Sequence, residues 1–215
     1  MIDNQEKWNR IYRRGERFGV PEIVVALAEY LDRDSRVLDY GCGNGQNSIF
    51  LAQKGLYVIG FDISDEAVRN AEGEARRSGV VDRTRFFVSD ALDPELDSEE
   101  LFDGVVCTYV LDHLAPGLPN PIDPEKFELG LNHVKKFVKP GGLVAVSYSP
   151  KNIWPKAGEQ EAKEIDRKYP AERFRIAFSG WEELFWDVRQ RGKTQTGWGI
   201  KNNLDAQILA RKPLS

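Results

Sequence analysis

The chain has 215 residues, of which 41% are hydrophobic and 30% are charged. This is typical of a soluble globular protein and is short for two full domains. A formal net charge of −4 argues against a nucleic-acid partner. The polar N-terminus, the absence of a long apolar run and the two cysteines without a CxxC pair argue against a secretory signal, a membrane helix and a cysteine zinc site. We therefore expect one cytoplasmic domain over residues 1–215, as a monomer or homodimer without a membrane partner.

Short apolar runs alternate with amphipathic segments, a pattern that predicts parallel strands joined by helices in an α/β fold. Strands are predicted at residues 37–40, 57–62, 84–90, 102–110, 142–149 and 205–213. Helices are predicted within 1–30 and at 46–54, 64–78, 124–138 and 159–169, with Ser64 as an N-cap and Gly55 and Gly79 as C-terminal stops. The stretch "KPGG" at 139–142 ends a helix, and residues 181–190 fit a strand or a helix. The proline-rich segment at 115–124 is typical of a binding-site loop.

The stretch "LDYGCGNG" at residues 38–45 places alternate glycines directly behind a strand. Its spacing differs from the dinucleotide fingerprint G-x-G-x-x-G, whose last position falls here on Gln46. Asp39 precedes the first glycine, and its carboxylate would repel a pyrophosphate but would suit a ligand that carries an ammonium and a sulfonium. S-adenosylmethionine carries both groups and no phosphate. The glycines allow a close approach of the backbone, and the helix N-terminus behind them can receive the ligand's carboxylate.

Five segments in register resemble the class I S-adenosylmethionine-dependent methyltransferases: "LDYGCGNG", "IGFDIS", "FVSDALD", "FDGVVCTYVLDHL" and "VKPGGLVAVSY". The closing "AQILARKP" resembles the last strand of that family. The resemblance implies a Rossmann-like fold, with a seven-stranded, mostly parallel sheet, helices on both faces and an antiparallel last strand. It also implies an N-terminal helical lid segment at 1–30, a cofactor-binding core at 36–149, and acceptor-side and closing strands at 150–215. The N-terminal segment is similar to that of the tellurite-resistance and thiopurine branch of small-molecule methyltransferases, where it covers the cofactor.

The resemblance further implies cofactor contacts at the carboxyl ends of the strands, where open α/β sheets bind ligands. The implied contacts are Asp39 with the methionine amino group, Gly41, Cys42 and Gly43 with the methionine and ribose portion, Asp62 with the ribose hydroxyls, Ile63, Asp90 and Ala91 with adenine, and Thr108 and Tyr109 near the methyl group. Structural alternatives stay open for several of them. Asp62 could support the start of a helix, Asp90 could be a turn residue, and Cys42 and Cys107 could be small packing residues.

Methyl transfer requires alignment of the acceptor and exclusion of water, and it requires a base only where the attacking atom must lose a proton. Asp112 and His113 follow the fourth strand, and with Tyr109 they are the catalytic candidates. His113 would act as a base or a positioning group. Alternatively, His113 packs against the following loop, and Asp112 contacts the edge of the ligand. His133 is interpreted as structural.

The acceptor is expected to be a small molecule. The stretch "CTYV" lacks the Asn/Asp-Pro-Pro-aromatic pattern of enzymes that methylate base amines, and there is no Pro-Cys pair for pyrimidine C5 chemistry. In the family that the chain resembles, the acceptor site is built by the N-terminal segment and by the regions after the fourth and fifth strands. The corresponding substrate-binding candidates are Trp8, Tyr12, Arg17, Tyr148 and Trp154, with Arg13, Phe18 and Trp198 in the same aromatic and cationic set.

The sequence therefore favours an enzyme that transfers a methyl group from S-adenosylmethionine to an O, N or S atom of a small molecule and releases S-adenosylhomocysteine. No metal-ligand cluster is predicted. A protein or RNA methyltransferase is an alternative, although "RIYRRGER" and "ARRSG" are only short basic stretches. A non-catalytic S-adenosylmethionine-binding subunit is a second alternative. A nicotinamide-dependent oxidoreductase is a third, which the glycine spacing disfavours.

Overall fold

The computed structural model describes residues 4–15, 19–97, 99–114, 124–148, 171, 174–196 and 199–214. Three sequence-based predictions concern residues outside these ranges. They are the helix at 159–169, the proline-rich loop up to residue 123, and the acceptor candidates Arg17, Phe18, Trp154 and Trp198.

Seven strands form one sheet in the order β3-β2-β1-β4-β5-β7-β6. The strands are β1 (Arg36–Tyr40), β2 (Tyr57–Asp62), β3 (Thr84–Val88), β4 (Phe102–Thr108), β5 (Val138–Tyr148), β6 (Glu182–Thr196) and β7 (Gly199–Arg211). Strands β1 to β5 are parallel where they pair, and β7 runs antiparallel to both of its neighbours, β5 and β6. The prediction of a mostly parallel sheet with an antiparallel last strand is confirmed.

Helices cover both faces of this sheet. The described helices are α1 (Asn4–Arg13), α2 (Glu22–Tyr30), α3 (Gln46–Gln53), α4 (Asp65–Arg77) and α5 (Pro124–Lys136), with short 3₁₀ helices at Val81–Arg83 and Leu111–His113. Apolar side chains of α5 pack with one set of strand residues, and those of α2 and α3 pack with the alternate set. Each face therefore has its own core, as parallel sheets require. None of the described helices has the length and apolar character needed to cross a membrane.

The residues that were predicted to cap or end helices do so in the structure. Ser64 caps α4, because its Oγ accepts a hydrogen bond from the N–H of Ala67 at 3.1 Å. Gly55 and Gly79 follow α3 and α4 with φ of 94° and 69°, the left-handed backbone that ends many helices. These contacts fix the start of α4 directly behind the carboxyl end of β2.

Two segments differ from the prediction or resolve an open alternative. "KPGG" was expected to separate α5 from its strand, but it lies inside β5, because Val138 already pairs with Phe102 before a register shift brings Leu143 opposite Gly104. This bulge absorbs the extra residues within the strand. Residues 181–190 fitted a strand or a helix, and from residue 182 onwards they belong to β6, which pairs with β7 with one register shift between Glu183 and Phe185.

Candidate functional site

The glycine loop after β1 has a backbone that only glycine accommodates well. Gly41 and Gly43 have φ of 73° and 53°, in the left-handed region. A Cβ on Gly43 would lie 2.7 Å from the hydroxyl oxygen of Tyr12, and one on Gly41 would lie 2.4 Å from a methyl carbon of Val110. The loop is therefore enclosed by α1 on one side and by the segment after β4 on the other.

Two buried carboxyl groups flank this loop. Asp39, at 1% exposure, accepts a hydrogen bond from the hydroxyl of Ser48 at 2.6 Å. Asp62, at 8% exposure, accepts bonds from the N–H groups of Gly43 and Ser64, both at 2.9 Å. Asp62 therefore both anchors the glycine loop and supports the start of α4, so the structural alternative considered for it is part of its role.

The electrostatics of these two groups favour a cationic ligand. Burial and, to a smaller extent, the charge of Asp62 raise the pKa of Asp39 to about 6, against the opposing hydrogen bond from Ser48. Burial likewise raises the pKa of Asp62 to about 6, although backbone N–H groups stabilise its charged form. Their hydrogen-bond donors are uncharged groups. A bound cation would supply the missing countercharge, so the site fits a ligand with an ammonium and a sulfonium better than one with phosphates.

Tyr12, which was predicted among the acceptor residues, packs against the glycine loop next to Gly43, and its contact with an acceptor stays a prediction. It is buried, and burial followed by the charge of Asp62 raises the pKa of its hydroxyl above the ordinary range. Asn9, one turn earlier on α1, accepts a hydrogen bond from the Ser64 hydroxyl at 2.5 Å and donates to Asp65 at 2.7 Å. Helix α1 is thus attached to the turn after β2 and covers the loop after β1.

Of the other residues considered in the sequence, Ile63 and Thr108 are partly buried, and the two cysteines are buried. Ile63 is partly buried beside Asp62, and Thr108 accepts a hydrogen bond from the side-chain amide of Asn47 at 3.0 Å. Cys42 is buried, and burial raises the pKa of its thiol well above the usual value, which fits the small packing residue considered for it. Cys107 is also buried with a raised thiol pKa. Neither thiol is suited to act as a nucleophile.

Asp90 has the geometry of the turn residue considered as its alternative. It is exposed, and its carboxylate accepts a hydrogen bond from the N–H of Leu92 at 2.8 Å. The neighbouring Ala91 is buried, and its carbonyl accepts the hydroxyl of Tyr40 and faces Nδ1 of His133 at 3.4 Å. Contacts of Asp90 and of the Ala91 N–H with adenine stay predictions.

The catalytic candidates after β4 are held by neighbouring side chains. The imidazole Nε2 of His113 lies 3.5 Å from a carboxylate oxygen of Asp112, and the ring of Trp8 packs edge-on against His113 at 5.0 Å between centroids. The Asp112 side chain is buried, and one quarter of the His113 side chain is exposed. The structure thus brings Trp8 and His113 together, and this geometry fits the packing alternative for His113 as well as a positioning role.

Tyr148 lies in the core. Its ring packs against those of Phe127 and Phe174, each at 5.0 Å between centroids, and the residue has no exposed surface. Burial, followed by the charge of Asp112, raises the pKa of its hydroxyl above the ordinary range. Tyr148 is therefore a core residue among the parts of the chain that the structure describes, and its contact with an acceptor stays a prediction.

The sequence analysis did not identify four polar residues near the carboxyl ends of the strands. They are Asn9, Asn47, Ser48 and Asp205, the last of which accepts the hydroxyl of Tyr109 at 3.1 Å. One signal was available for Asn9, which shares a helix face with Tyr12. Another was the alternation of Asp205 and Gln207 with the apolar residues Ala206 and Ile208 in the closing strand.

The strand order is that of a Rossmann-like sheet, and the glycine loop and the two carboxyl groups lie at the carboxyl ends of its strands. Residues 31–187 match the family described as "Methyltransferase domain", and the chain belongs to that family.

Comparisons with individual proteins support this family membership. The ubiquinone biosynthesis O-methyltransferase of Rhizobium etli (strain ATCC 51251) is 34% identical over 195 residues, which cover 83% of this chain and 73% of the relative. That of Pseudomonas fluorescens (strain SBW25) is 34% identical over 122 residues, covering 57% of this chain and 47% of the relative, so the chain matches about half of that protein's length. The crystal structure of TehB from Haemophilus influenzae has a TM-score of 0.65 at 20% identity, covering 97% of this chain and 67% of that one, and this likeness supports the fold.

Proposed function

We propose that this protein transfers the methyl group of S-adenosylmethionine to an O, N or S atom of a small molecule. The observation that carries the proposal is the pair of buried carboxyl groups, Asp39 and Asp62, on either side of a glycine loop. Membership of the methyltransferase domain family supports the same chemistry. The O-methyltransferases among the relatives make a hydroxyl the first acceptor to test.

The residues at the strand ends match the parts of the cofactor. Asp39 would hold the methionine ammonium, and Asp62 would accept the ribose hydroxyls on its remaining lone pairs. Ile63 would pack on the adenine, while the backbone of Gly41 and Gly43 would approach the methionine and ribose portion. When bound, S-adenosylmethionine supplies an electrophilic methyl group on a sulfonium that leaves as a neutral thioether.

The chain itself supplies enclosure and alignment. Tyr12 covers the glycine loop, and Trp8 packs on His113 beyond β4, so α1 spans the ends of β1 and β4. Asn9 fixes this helix to the turn after β2. Such enclosure excludes water and holds two reactants in line, which is the main protein contribution to a displacement at carbon.

Methyl-labelled S-adenosylmethionine tests this function directly. The protein would be incubated with 3,4-dihydroxybenzoate, benzylamine and 4-nitrothiophenol, as hydroxyl, amine and thiol acceptors, and labelled products would be identified by mass spectrometry. Transfer to at least one probe, together with loss of transfer in Asp62→Ala, is the expected result. Binding of S-adenosylhomocysteine without transfer to these probes or to a wider metabolite panel would instead indicate a non-catalytic binding protein.

A further inference from the structure

The first turn of α3 begins without a capping side chain of its own. Its N-cap residue is Gly45, which has a φ of 79° and offers no side-chain acceptor to the free N–H groups of the turn. An added Cβ on Gly45 would lie 2.9 Å from the Cβ of Ala71, so the close approach of α4 excludes a larger residue. A hydrogen-bond acceptor from another element can therefore stabilise this turn.

The carboxylate of Asp39 lies at this turn. Ser48, the third residue of α3, has no exposed surface, and its hydroxyl donates a hydrogen bond of 2.6 Å to Oδ2 of Asp39. This bond joins β1 to the start of α3. The dipole of a helix also favours a negative charge near its N-terminus. Asp39 thus supplies a charge where the capping side chain is missing, and Ser48 fixes one of its oxygens.

A second polar contact holds the same turn from the other side. Asn47, the residue before Ser48, is buried, and its side-chain amide donates to the hydroxyl of Thr108 at 3.0 Å. Thr108 is the last residue of β4, which pairs with β1 on the side opposite β2. The turn is therefore attached to β1 through Ser48 and to β4 through Asn47, so the Ser48 hydroxyl has a defined position beside Asp39.

The titratable groups around Asp39 come from β2, the glycine loop, β4 and α1. Burial raises the pKa of Asp39, and the Ser48 hydroxyl is the largest of the influences that lower it, followed by the Ser48 N–H. The charge of Asp62 acts in the raising direction. Burial also raises the pKa of three further groups that interact with Asp39, namely Cys42, Cys107 and Tyr12. Because these three stay neutral at pH 7, the charge of Asp39 depends on Asp62 and on the hydrogen bonds from α3.

We propose that Ser48 is a positioning residue of the cofactor site, which holds the Asp39 carboxylate in the orientation and charge state that pair with the ammonium of the ligand. This inference rests on the proposed methyltransferase function. Ser48 acts through Asp39 and needs no contact with the ligand. A hydroxyl has one hydrogen to donate, and a hydrogen bond to the charged form of a carboxyl group favours that form. Loss of the hydroxyl should therefore weaken binding most where Asp39 is close to protonation.

The test compares Ser48→Ala with the wild type in calorimetric titrations with S-adenosylhomocysteine between pH 5.5 and pH 8. Loss of a hydrogen bond to the charged form is expected to raise the ionisation midpoint of Asp39 by about one pH unit. The ratio of wild-type to variant affinity should then grow about sevenfold from pH 8 to pH 5.5. A ratio that stays constant over this range would indicate a general loosening of the site and would overturn the inference.

Ser78→Ala is the matched control for this substitution. The hydroxyl of Ser78, at the C-terminal end of α4, also donates to a carboxylate, that of Glu74 at 3.5 Å. Its loss should leave the affinity for S-adenosylhomocysteine at the wild-type value at every pH, because this pair lies away from Asp39. A pH-dependent loss in Ser78→Ala equal to that in Ser48→Ala would contradict a specific role of Ser48.

A double-variant cycle tests whether Ser48 acts through Asp39. In the Asp39→Asn background at pH 5.5, Ser48→Ala is expected to change the affinity by no more than about twofold, because the charged carboxylate that the hydroxyl stabilises is absent. An affinity of the double variant that equals the product of the two single losses would show that Ser48 acts independently of Asp39, and the inference would fail.

The ionisation of Asp39 in the ligand-free protein separates this inference from the proposed function. An NMR titration would follow the side-chain carboxyl carbon of Asp39, assigned by the absence of its signal in Asp39→Asn. The midpoint should be about one pH unit higher in Ser48→Ala than in the wild type and unchanged in Ser78→Ala. An unchanged midpoint in Ser48→Ala, with ligand binding by the wild type intact, would overturn the role of Ser48 alone. Failure of the folded wild-type protein to bind S-adenosylhomocysteine would instead remove the proposed function, and the role of Ser48 with it.

Discussion

The surface at the carboxyl ends of the strands has two halves, a proposed cofactor half and a proposed acceptor half. These halves are assembled in different ways. In the proposed cofactor half, Asp39 and Asp62 lie on two successive strands and Gly43 in the loop between β1 and α3, so their contacts close within one βαβ unit. In the proposed acceptor half, Tyr109 meets Asp205 only because β7 pairs antiparallel with β5. The proposed cofactor contacts therefore come from contiguous sequence, whereas the proposed acceptor half depends on the pairing of distant strands. The following variants probe this difference.

Asp62→Ala is expected to have the largest effect on the cofactor half. It removes the acceptor of the Gly43 and Ser64 N–H groups together with the proposed ribose contact. Since each hydrogen bond to a charged group contributes about 1.5–3 kcal/mol, affinity for S-adenosylhomocysteine should fall by about 100-fold or more. Calorimetry would measure this loss, and the exposed Asp32→Ala is the control. Equal affinity in Asp62→Ala and the wild type would refute the assignment of Asp62.

Gly43→Ala is expected to weaken binding by about 30-fold, because the added methyl group is strained at positive φ and displaces Tyr12. Gly79→Ala is the matched control, since Gly79 has a φ of 69° but nothing within 4 Å of an added Cβ. The control should lower the free energy of unfolding by about 1 kcal/mol and leave binding unchanged. If both variants bound equally well, the enclosure of the loop by Tyr12 would not contribute to ligand affinity.

Affinity for S-adenosylhomocysteine should fall as the pH is lowered. Burial raises the pKa of Asp39 to about 6, so below this pH the carboxylate that would pair with the ligand's ammonium is increasingly protonated. Between pH 7.5 and pH 5 the affinity is expected to fall by about tenfold. Asp39→Asn should bind more weakly and lose the part of this dependence that Asp39 contributes, while Asp62, whose pKa is also raised to about 6, keeps the rest. A wild-type affinity that rises towards pH 5 would contradict the assignment.

The ligand-free protein should show the opposite trend. Because the folded-state pKa of Asp39 and that of Asp62 are raised, their contribution to stability is greatest below about pH 4 and is lost as the pH rises through about 6. The rise in unfolding midpoint caused by S-adenosylhomocysteine should therefore grow between pH 5 and pH 7.5. Unfolding curves with and without ligand would measure it, and a ligand-induced rise that is constant over this range would argue against these two carboxyl groups.

Asn9→Ala is expected to have the smallest effect, because it loosens α1 without changing a proposed ligand contact. It removes the hydrogen bonds to Ser64 and Asp65, and affinity for S-adenosylhomocysteine should fall by about threefold to tenfold. Arg10→Ala, on the exposed side of the same helix, removes only a surface ion pair with Glu6 and should bind normally. An effect of Arg10→Ala as large as that of Asn9→Ala would indicate a general loss of helix α1.

Local signals predicted most of the cofactor half. The Ser64 cap, the glycines after α3 and α4, and the strands around the glycine loop depend on short-range chemistry that the sequence displays directly. "KPGG" was misleading because its turn residues lie in a bulge, which exists only when β5 pairs with β4. The pairing of Tyr109 with Asp205 could not be derived from spacing, since it depends on where β7 enters the sheet.

Calorimetric titration with S-adenosylhomocysteine and, separately, with NAD tests the character of the loop between Asp39 and Asp62. We expect one molecule of S-adenosylhomocysteine to bind per chain at pH 7.5, and no heat of binding with NAD. Binding of NAD, or no binding of S-adenosylhomocysteine by the folded protein, would contradict a site built for a cationic ligand without phosphates.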